Sequence, residues 1–339
     1  MKQIVIARAG APDVLSIENV ADPQPKAGEL MIRVAAAGIN FADILARQGI
    51  YPDCPPYPCV VGYEVSGVVD AIGEGVDEGW LGKQVLALTD FGGYADMACV
   101  DARYVWEKPA ALSFQAAASL PLNTITAWGL LMAMGGLCEG ETVLIHNIGG
   151  GVGLSALDIA LHAGATVIGT ASGRKHEFLK QRGAHHLIDY TTDNWEQAVA
   201  EITQRQGVEL IIDPLGGKHW KRSYKALRST GRLGVFGISA AATSSGLGGK
   251  LALAKLALSM PFFHPVGMMR GNRGVFGINI HAMYEESGKL NAWMQHILAG
   301  VDAGWLRPHV DRVFSFDEAA QAHAYIEARK NIGKVLLQP

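Results

Sequence analysis

The chain is 339 residues long, 49% hydrophobic, and carries a formal net charge of −3. The length accommodates two domains with separate cores, and the charge balance excludes a basic nucleic-acid surface. Four cysteines, Cys54, Cys59, Cys99 and Cys138, form no CxxC pair; this excludes a cysteine-built zinc lobe or a disulfide framework and fits a reduced, cytoplasmic setting.

Taken in order, residues 1–120 read as a β-rich domain. Residues 1–10 hold one early Lys and a four-residue apolar run, which is a first strand at 3–8 rather than a signal peptide. Further strands are expected at 29–35, 60–72, 84–88 and 94–100, separated by glycine-rich turns at 27–28, 73–82 and 92–93. Regular short strands with such turns predict a barrel-like fold. From Ser113 the pattern turns helical, with a helix at 123–131.

Residues 143–163, VLIHNIGGGVGLSALDIALHA, organise the rest. A short aliphatic strand runs into Gly149, Gly150, Gly151 and Gly153, and apolar residues then recur at helical spacing. Strand, glycine turn and helix make the start of a dinucleotide-binding βαβ unit. Glycine lets the chain turn tightly, lets the backbone at Gly150, Gly151 and Val152 approach a pyrophosphate, and lets the helix pack close to the sheet. The helix N-terminus offers free N–H groups to the phosphates. A second strand, TVIGT at 166–170, arrives one helix later. An NAD site carries Asp or Glu at the tip of that strand; here stand Thr170, Ala171, Ser172, Gly173, Arg174 and Lys175. Ser172 and Lys175 suit a 2′-phosphate through charge-assisted bonds, so NADPH is expected rather than NADH. The bland alternative leaves Arg174 and Lys175 as decoration of an exposed helix start.

Strands and helices then alternate: helix 175–182, strand 186–189, helix 194–205, strand 209–213, helix 218–228, strand 233–237. This is a doubly wound parallel sheet, an α/β fold. Residues 251–269 are the most hydrophobic later stretch, but Lys255, Pro261, His264 and Pro265 interrupt it. No membrane span is expected; a buried or dimer-facing helix, roofing the substrate cleft, is. A strand-like segment at 274–280, helices at 282–300 and 317–329 and a strand at 334–337 follow, with 310–316 returning the chain to the first domain. The parallel domain, 121–271, is thus inserted between 1–120 and 272–339, and the cleft between the two domains is the expected ligand site.

The order of these pieces, with GINFAD at 38–43, GYE at 62–64, the run at 149–153 and NIGKVL at 331–336, resembles the medium-chain dehydrogenase/reductase superfamily. The resemblance implies a GroES-like catalytic domain interrupted by a Rossmann domain. The zinc branch of that family would have Cys at Asn40 and His at Tyr63; Asn and Tyr do not replace soft thiolate and imidazole ligands. No zinc is therefore expected, and the eleven histidines read as scattered structural or exposed residues. GINFADILARQGIYP at 38–52 resembles the quinone oxidoreductase group, and ARQGIYP, GTASGRKHEFLK, IDPLGG and KNIGKVLL resemble its vesicle-amine-transport-like branch. That resemblance implies NADPH, a homodimer, and reduction of quinones or α,β-unsaturated carbonyls. It further implies Asn40 and Tyr51 near the nicotinamide, Thr126 on the helix facing it, and Lys175 with Tyr190 around the 2′-phosphate. Gly237, Phe276 and Gly277 would line the cofactor through backbone, and Asn331 would close over it. Leu45 stands where some quinone reductases place a second tyrosine.

Without a metal, conjugated acceptors are the accessible substrates, because the enolate or hydroquinone anion spreads its own charge. Asn40 either donates to that oxygen, orients the nicotinamide ribose, or merely caps a turn. Tyr51 either donates a hydrogen bond or proton, or packs beside Pro52. Tyr63 reads as wall. Asp43 reads as structural at a helix start, and Glu64 as bonded locally on its strand. Two other functions compete: an alkene-specific reductase of an enoyl thioester or alkenal, for which Arg270 and Arg273 are the nearby cations, and a non-catalytic NADPH-binding module.

Overall fold

The computed structural model describes residues 1–241 and 254–339. The chain divides into two compact units. One comprises Met1–Ile125, Ile280–Gly304 and Pro308–Pro339; the other comprises Thr126–Asn279 and Trp305–Arg307.

The second unit is built on six parallel strands: β8 (Thr142–His146), β9 (Thr166–Ala171), β10 (His186–Asp189), β11 (Val208–Asp213), β12 (Leu227–Val235) and β13 (Gly274–Gly277). Their spatial order is β10-β9-β8-β11-β12-β13. The order reverses between β8 and β11, the switch point where open α/β sheets bind ligands beyond the strand ends. β8 and β11 are buried along nearly their whole length, as parallel strands covered on both faces must be. Val208, Leu210, Ile211 and Ile212 therefore read as a continuous apolar run rather than an alternation. β13 pairs in register with β12, so this unit runs on to Asn279, past residue 271 where the sequence pattern ends it.

The first unit holds a seven-stranded sheet in the order β14-β15-β3-β4-β5-β7, with β6 also pairing to β3. β3 (Glu29–Ile39) is long because it serves three partners: β4 (Glu64–Ile72), β6 (Met97–Asp101) and β15 (Lys334–Gln338). Register shifts between Met31 and Ile32 and between Val34 and Ala36 bend it from one partner to the next. β14 (Val310–Ser315) lies parallel to β15 and completes the return.

Several elements differ from the sequence pattern. The strand expected at 60–72 starts only at Glu64, because Gly62 takes φ +103°, and a Cβ there would strike Tyr94 at 2.6 Å. Short strands Leu15–Asn19 and Val105–Glu107 went unrecognised; each is brief and carries charge. Of the stretch at 251–269, residues 251–253 lie outside the described residues. The remainder is not buried within this chain: Leu258, Phe262 and Met269 are exposed by 90%, 84% and 74%. Among the described residues, no helix is long and apolar enough to cross a membrane.

Candidate active site

The expected site residues fall into two groups, one on each unit. The first group begins where β3 ends. Asn40 takes an extended backbone and starts the helix α1 (Phe41–Arg47). Its N–H donates to Asp43 Oδ2 at 2.7 Å, while Asp43 Oδ1 accepts from Gly62 N–H at 3.0 Å. Asp43 thereby clips together the segments carrying Asn40 and Tyr63. Burial raises its carboxyl to about pKa 7, against the pull of those N–H donors and of Lys334.

Glu64 is not bonded locally, contrary to the expectation. Fully buried, it accepts from Leu122 N–H at 2.8 Å and from Asn40 Nδ2 at 3.0 Å, and forms a direct ion pair with Lys334. Lys334 Nζ also donates to Asn40 Oδ1 at 2.6 Å. Both ends of the Asn40 amide are therefore engaged. Its one weak bond is the 3.5 Å contact from Nδ2 to Gly38 O, at the limit of hydrogen-bond length. An ammonium against Asn40 also opposes any cation there. Lys334 is the functional residue the sequence reading missed. Its only local signal is a Lys opening an otherwise apolar strand, and the turn before it is held by Asn331 Nδ2 donating to Gly333 O at 2.8 Å.

Tyr51 is half-buried on the loop after α1, its ring edge-on to Tyr63 at 6.1 Å. Burial pushes its hydroxyl above the ordinary value, so it stays protonated and able to donate. Tyr63 packs against Phe91 at 4.9 Å, and its hydroxyl is buried without a hydrogen-bond partner. An aromatic wall continues from Phe91 to His281 and Tyr284.

The second group surrounds the end of β8. The turn at 147–150 delivers α4 (Gly151–His162), whose first residue follows Gly150 with no side-chain cap. Its leading N–H groups are thus left for a ligand. A Cβ at Gly153 would sit 2.4 Å from Asn147 O and 2.5 Å from Ile148 O; only glycine permits this approach. Lys175 is buried, and its chain folds back over the turn. A Cβ at Gly149 would meet Lys175 Cδ at 2.8 Å and Nζ at 3.7 Å. The tip of β9 carries no carboxylate, and the Asp189 carboxylate next door is occupied by Gly173 N–H at 2.7 Å and Thr191 N–H at 2.9 Å. Ser172 opens the 3-10 turn Gly173–Lys175, and Tyr190 stands exposed after β10. Gly237 is exposed past the end of β12, and Phe276 fills the space beside Gly234. Thr126 is buried near the end of the helix Pro121–Trp128.

Thr170 differs from expectation. Its hydroxyl points inward and meets His146 Nδ1 at 3.0 Å. Nor are the histidines scattered: His146, Asp213 and His219 bring potential metal-ligating atoms within 4.8 Å at the ends of β8 and β11. These atoms already bond one another. His219 Nδ1 donates to Asp213 Oδ2 at 2.6 Å, and Ser223 O–H donates to the same oxygen at 2.7 Å. Ser223 Oγ then accepts from His146 Nε2 at 3.3 Å, which leaves His146 Nδ1 to accept from Thr170. Burial pushes Asp213 upward, but these bonds and the two imidazoles hold its carboxyl below the usual range.

A parallel sheet ordered 3-2-1-4-5-6 with a glycine turn at its switch point, beside a GroES-like sheet, defines a two-domain dehydrogenase or reductase. An alcohol dehydrogenase GroES-like domain model matches residues 26–110, and a zinc-binding dehydrogenase model matches residues 182–337. The whole chain is 34% identical to the human synaptic vesicle membrane protein VAT-1 homolog, spanning 86% of that protein. The Escherichia coli quinone oxidoreductase, solved with NADPH, matches over the full length of both chains at TM-score 0.88 and 26% identity. The CurK enoyl reductase matches 99% of this chain and 98% of its own at TM-score 0.85 and 27% identity. The chain belongs to the medium-chain dehydrogenase/reductase superfamily, in its quinone oxidoreductase group alongside the VAT-1 homologues.

Proposed function

We propose that the protein is an NADPH-dependent reductase of quinones or α,β-unsaturated carbonyls, working without a metal and as a homodimer. The observation that carries the reading is Lys175 folded over the glycine turn, with no free carboxylate at the tip of β9. A cation beside a pyrophosphate cradle suits a third phosphate and would leave NADH one partner short. The relative solved with NADPH supports the same cofactor.

NADPH, when bound, supplies a hydride from its nicotinamide ring. The α4 N-terminus and the backbone of Gly150, Gly151 and Val152 hold the pyrophosphate, and Ser172, Lys175 and Tyr190 hold the 2′-phosphate. Thr126, Gly237, Phe276, Gly277 and Asn331 line the remaining length, with Thr170 acting from beneath through His146 rather than by direct contact. Asn40 and Tyr51 face the substrate. Tyr51 keeps its proton at neutral pH and donates to the developing oxyanion. Asn40 exchanges its long Gly38 contact for the same oxygen while Lys334 fixes the other end of its amide. Residues 1–125, completed by the C-terminal segments, serve as the catalytic domain, and the parallel unit as the cofactor domain. The exposed Leu258, Phe262 and Met269, near the edge strand β13, support the dimer.

The CurK match favours a second reading, reduction of one particular alkene. Arg273 lends it little, since its guanidinium lies over Tyr224 and bonds the Tyr224 carbonyl. The test is NADPH oxidation, with NADH in parallel, on adding a simple quinone. Consumption of NADPH but not NADH is expected. Binding of NADPH without turnover on any quinone moves the assignment to an alkene-specific enzyme or a binding module.

A further inference from the structure

Cys54 and Cys59 lie on the loop between α1 and β4 with their sulfurs 3.9 Å apart. Cys59 is buried and anchored: its N–H donates to Ile6 O at 3.1 Å and its carbonyl accepts from Ile6 N–H at 2.8 Å. Cys54 is half-buried, and its N–H donates to the Tyr51 carbonyl at 3.2 Å. One sulfur is therefore fixed to the core, and the other rides on the turn that presents Tyr51.

We propose that Cys54 and Cys59 form an oxidisable pair, which a peroxide closes into an intramolecular disulfide that displaces Tyr51. The effect on Tyr51 rests on the reductase reading; the disulfide itself does not. In the first step the Cys54 thiolate attacks a peroxide oxygen, giving the sulfenic acid and, after protonation, one water or alcohol. In the second, the Cys59 thiolate attacks the Cys54 sulfur, and the departing hydroxide takes a proton to leave as water. Two thiols together lose two electrons and two protons, and the peroxide is reduced by two electrons.

Proximity drives this closure, not acidity. Burial pushes the Cys54 thiol up and the Cys59 thiol to about 12, so thiolate is scarce at neutral pH and closure quickens as pH rises. The partner sulfur is already in contact, which converts the second step into an intramolecular one. Closing from contact to a bond of about 2 Å draws Cys54 toward the anchored Cys59, and Tyr51 follows through their shared turn.

The test uses the sequence itself. No Lys or Arg lies between Arg47 and Lys83, so trypsin releases residues 48–83 as one peptide holding both cysteines. After peroxide treatment of the intact protein and alkylation, this peptide should lose the mass of two hydrogens and take up no label. Cys99 and Cys138 should still alkylate, and dithiothreitol should reverse the change. Cys54→Ser, which leaves the buried Cys59 in place, should abolish the mass loss. Labelling of both cysteines after peroxide, or added oxygen on Cys54 with Cys59 free, overturns the proposal. In the closed form, quinone-dependent NADPH oxidation should fall about tenfold or more and recover on reduction; an unchanged rate overturns the displacement of Tyr51. If untreated protein turns over no quinone or enone, the reductase reading fails instead, and the peptide masses still decide the disulfide.

Discussion

The two halves of the candidate site are assembled in opposite ways. The cofactor half lies between His146 and Lys175, a contiguous strand, turn, helix and strand. The half around Asn40 draws on residues as far apart as Asn40 and Lys334, 294 positions along the chain. In the first, geometry follows from residue type, since a tight turn beside a helix demands glycine. In the second, geometry follows from burial, since a charge removed from water must find its counterpart wherever the chain brings it. The first kind of site tolerates change poorly at the backbone, the second at the charge.

The largest effect should come from breaking that charge balance. Lys334→Met leaves Glu64 ionised and unpaired in the core and should cost about 3–5 kcal/mol in urea unfolding. Adding Glu64→Gln should recover much of it; a double variant as unstable as the single one would show that the pair is not what matters. Next, Gly153→Ala places a Cβ against two carbonyl oxygens that cannot yield. It should cost about 3 kcal/mol and abolish NADPH binding measured by fluorescence. Gly267→Ala, with open space around it, should be neutral. Lys175→Met should keep the fold and weaken NADPH about tenfold with little change for NADH, equivalent to about 1.4 kcal/mol; equal loss for both cofactors would remove the 2′-phosphate role.

The smallest effect concerns pH. His323 is buried between Tyr94, whose hydroxyl lies 3.1 Å from its Nε2, and the Arg47 charge. Burial first, then Arg47, pulls it down to about 3 from 6.5. Below pH 6.5 the unfolded chain binds a proton that the native imidazole refuses, so stability falls as pH drops from 6.5 toward 3. The contribution is about 1.4 kcal/mol per pH unit. Asp43 acts oppositely: raised to about 7 from 3.8, it keeps a proton the unfolded chain releases, so stability falls as pH rises through that window. His323→Leu should flatten the acid limb of the urea midpoint against pH, and Asp43→Asn should steepen it.

Much of the parallel unit was legible because its strands are buried on both faces and its turns need glycine, both visible in residue type. The β-rich unit was legible in outline only. Its strand at Glu64 starts late because Gly62 bends to meet Asp43, a partner 19 positions away. The roles of Asn40 and Glu64 were misread for the same reason: a side chain's partner across the sheet leaves no trace in its neighbours. Thr170 stands where a cofactor contact is expected, yet its hydroxyl turns inward, because His146 and Ser223, 77 positions apart, meet beneath it.

The sequence by itself determined the order of elements, the glycine turn, and the missing carboxylate after β9, because each depends on local sterics or on the presence of a charge type. Only the tertiary structure decided that Lys334 neutralises Glu64 behind Asn40, that Lys175 lies over Gly149, and that Cys54 faces Cys59. Those pairings are set by packing and desolvation, which act on distances in space and not on positions in the chain.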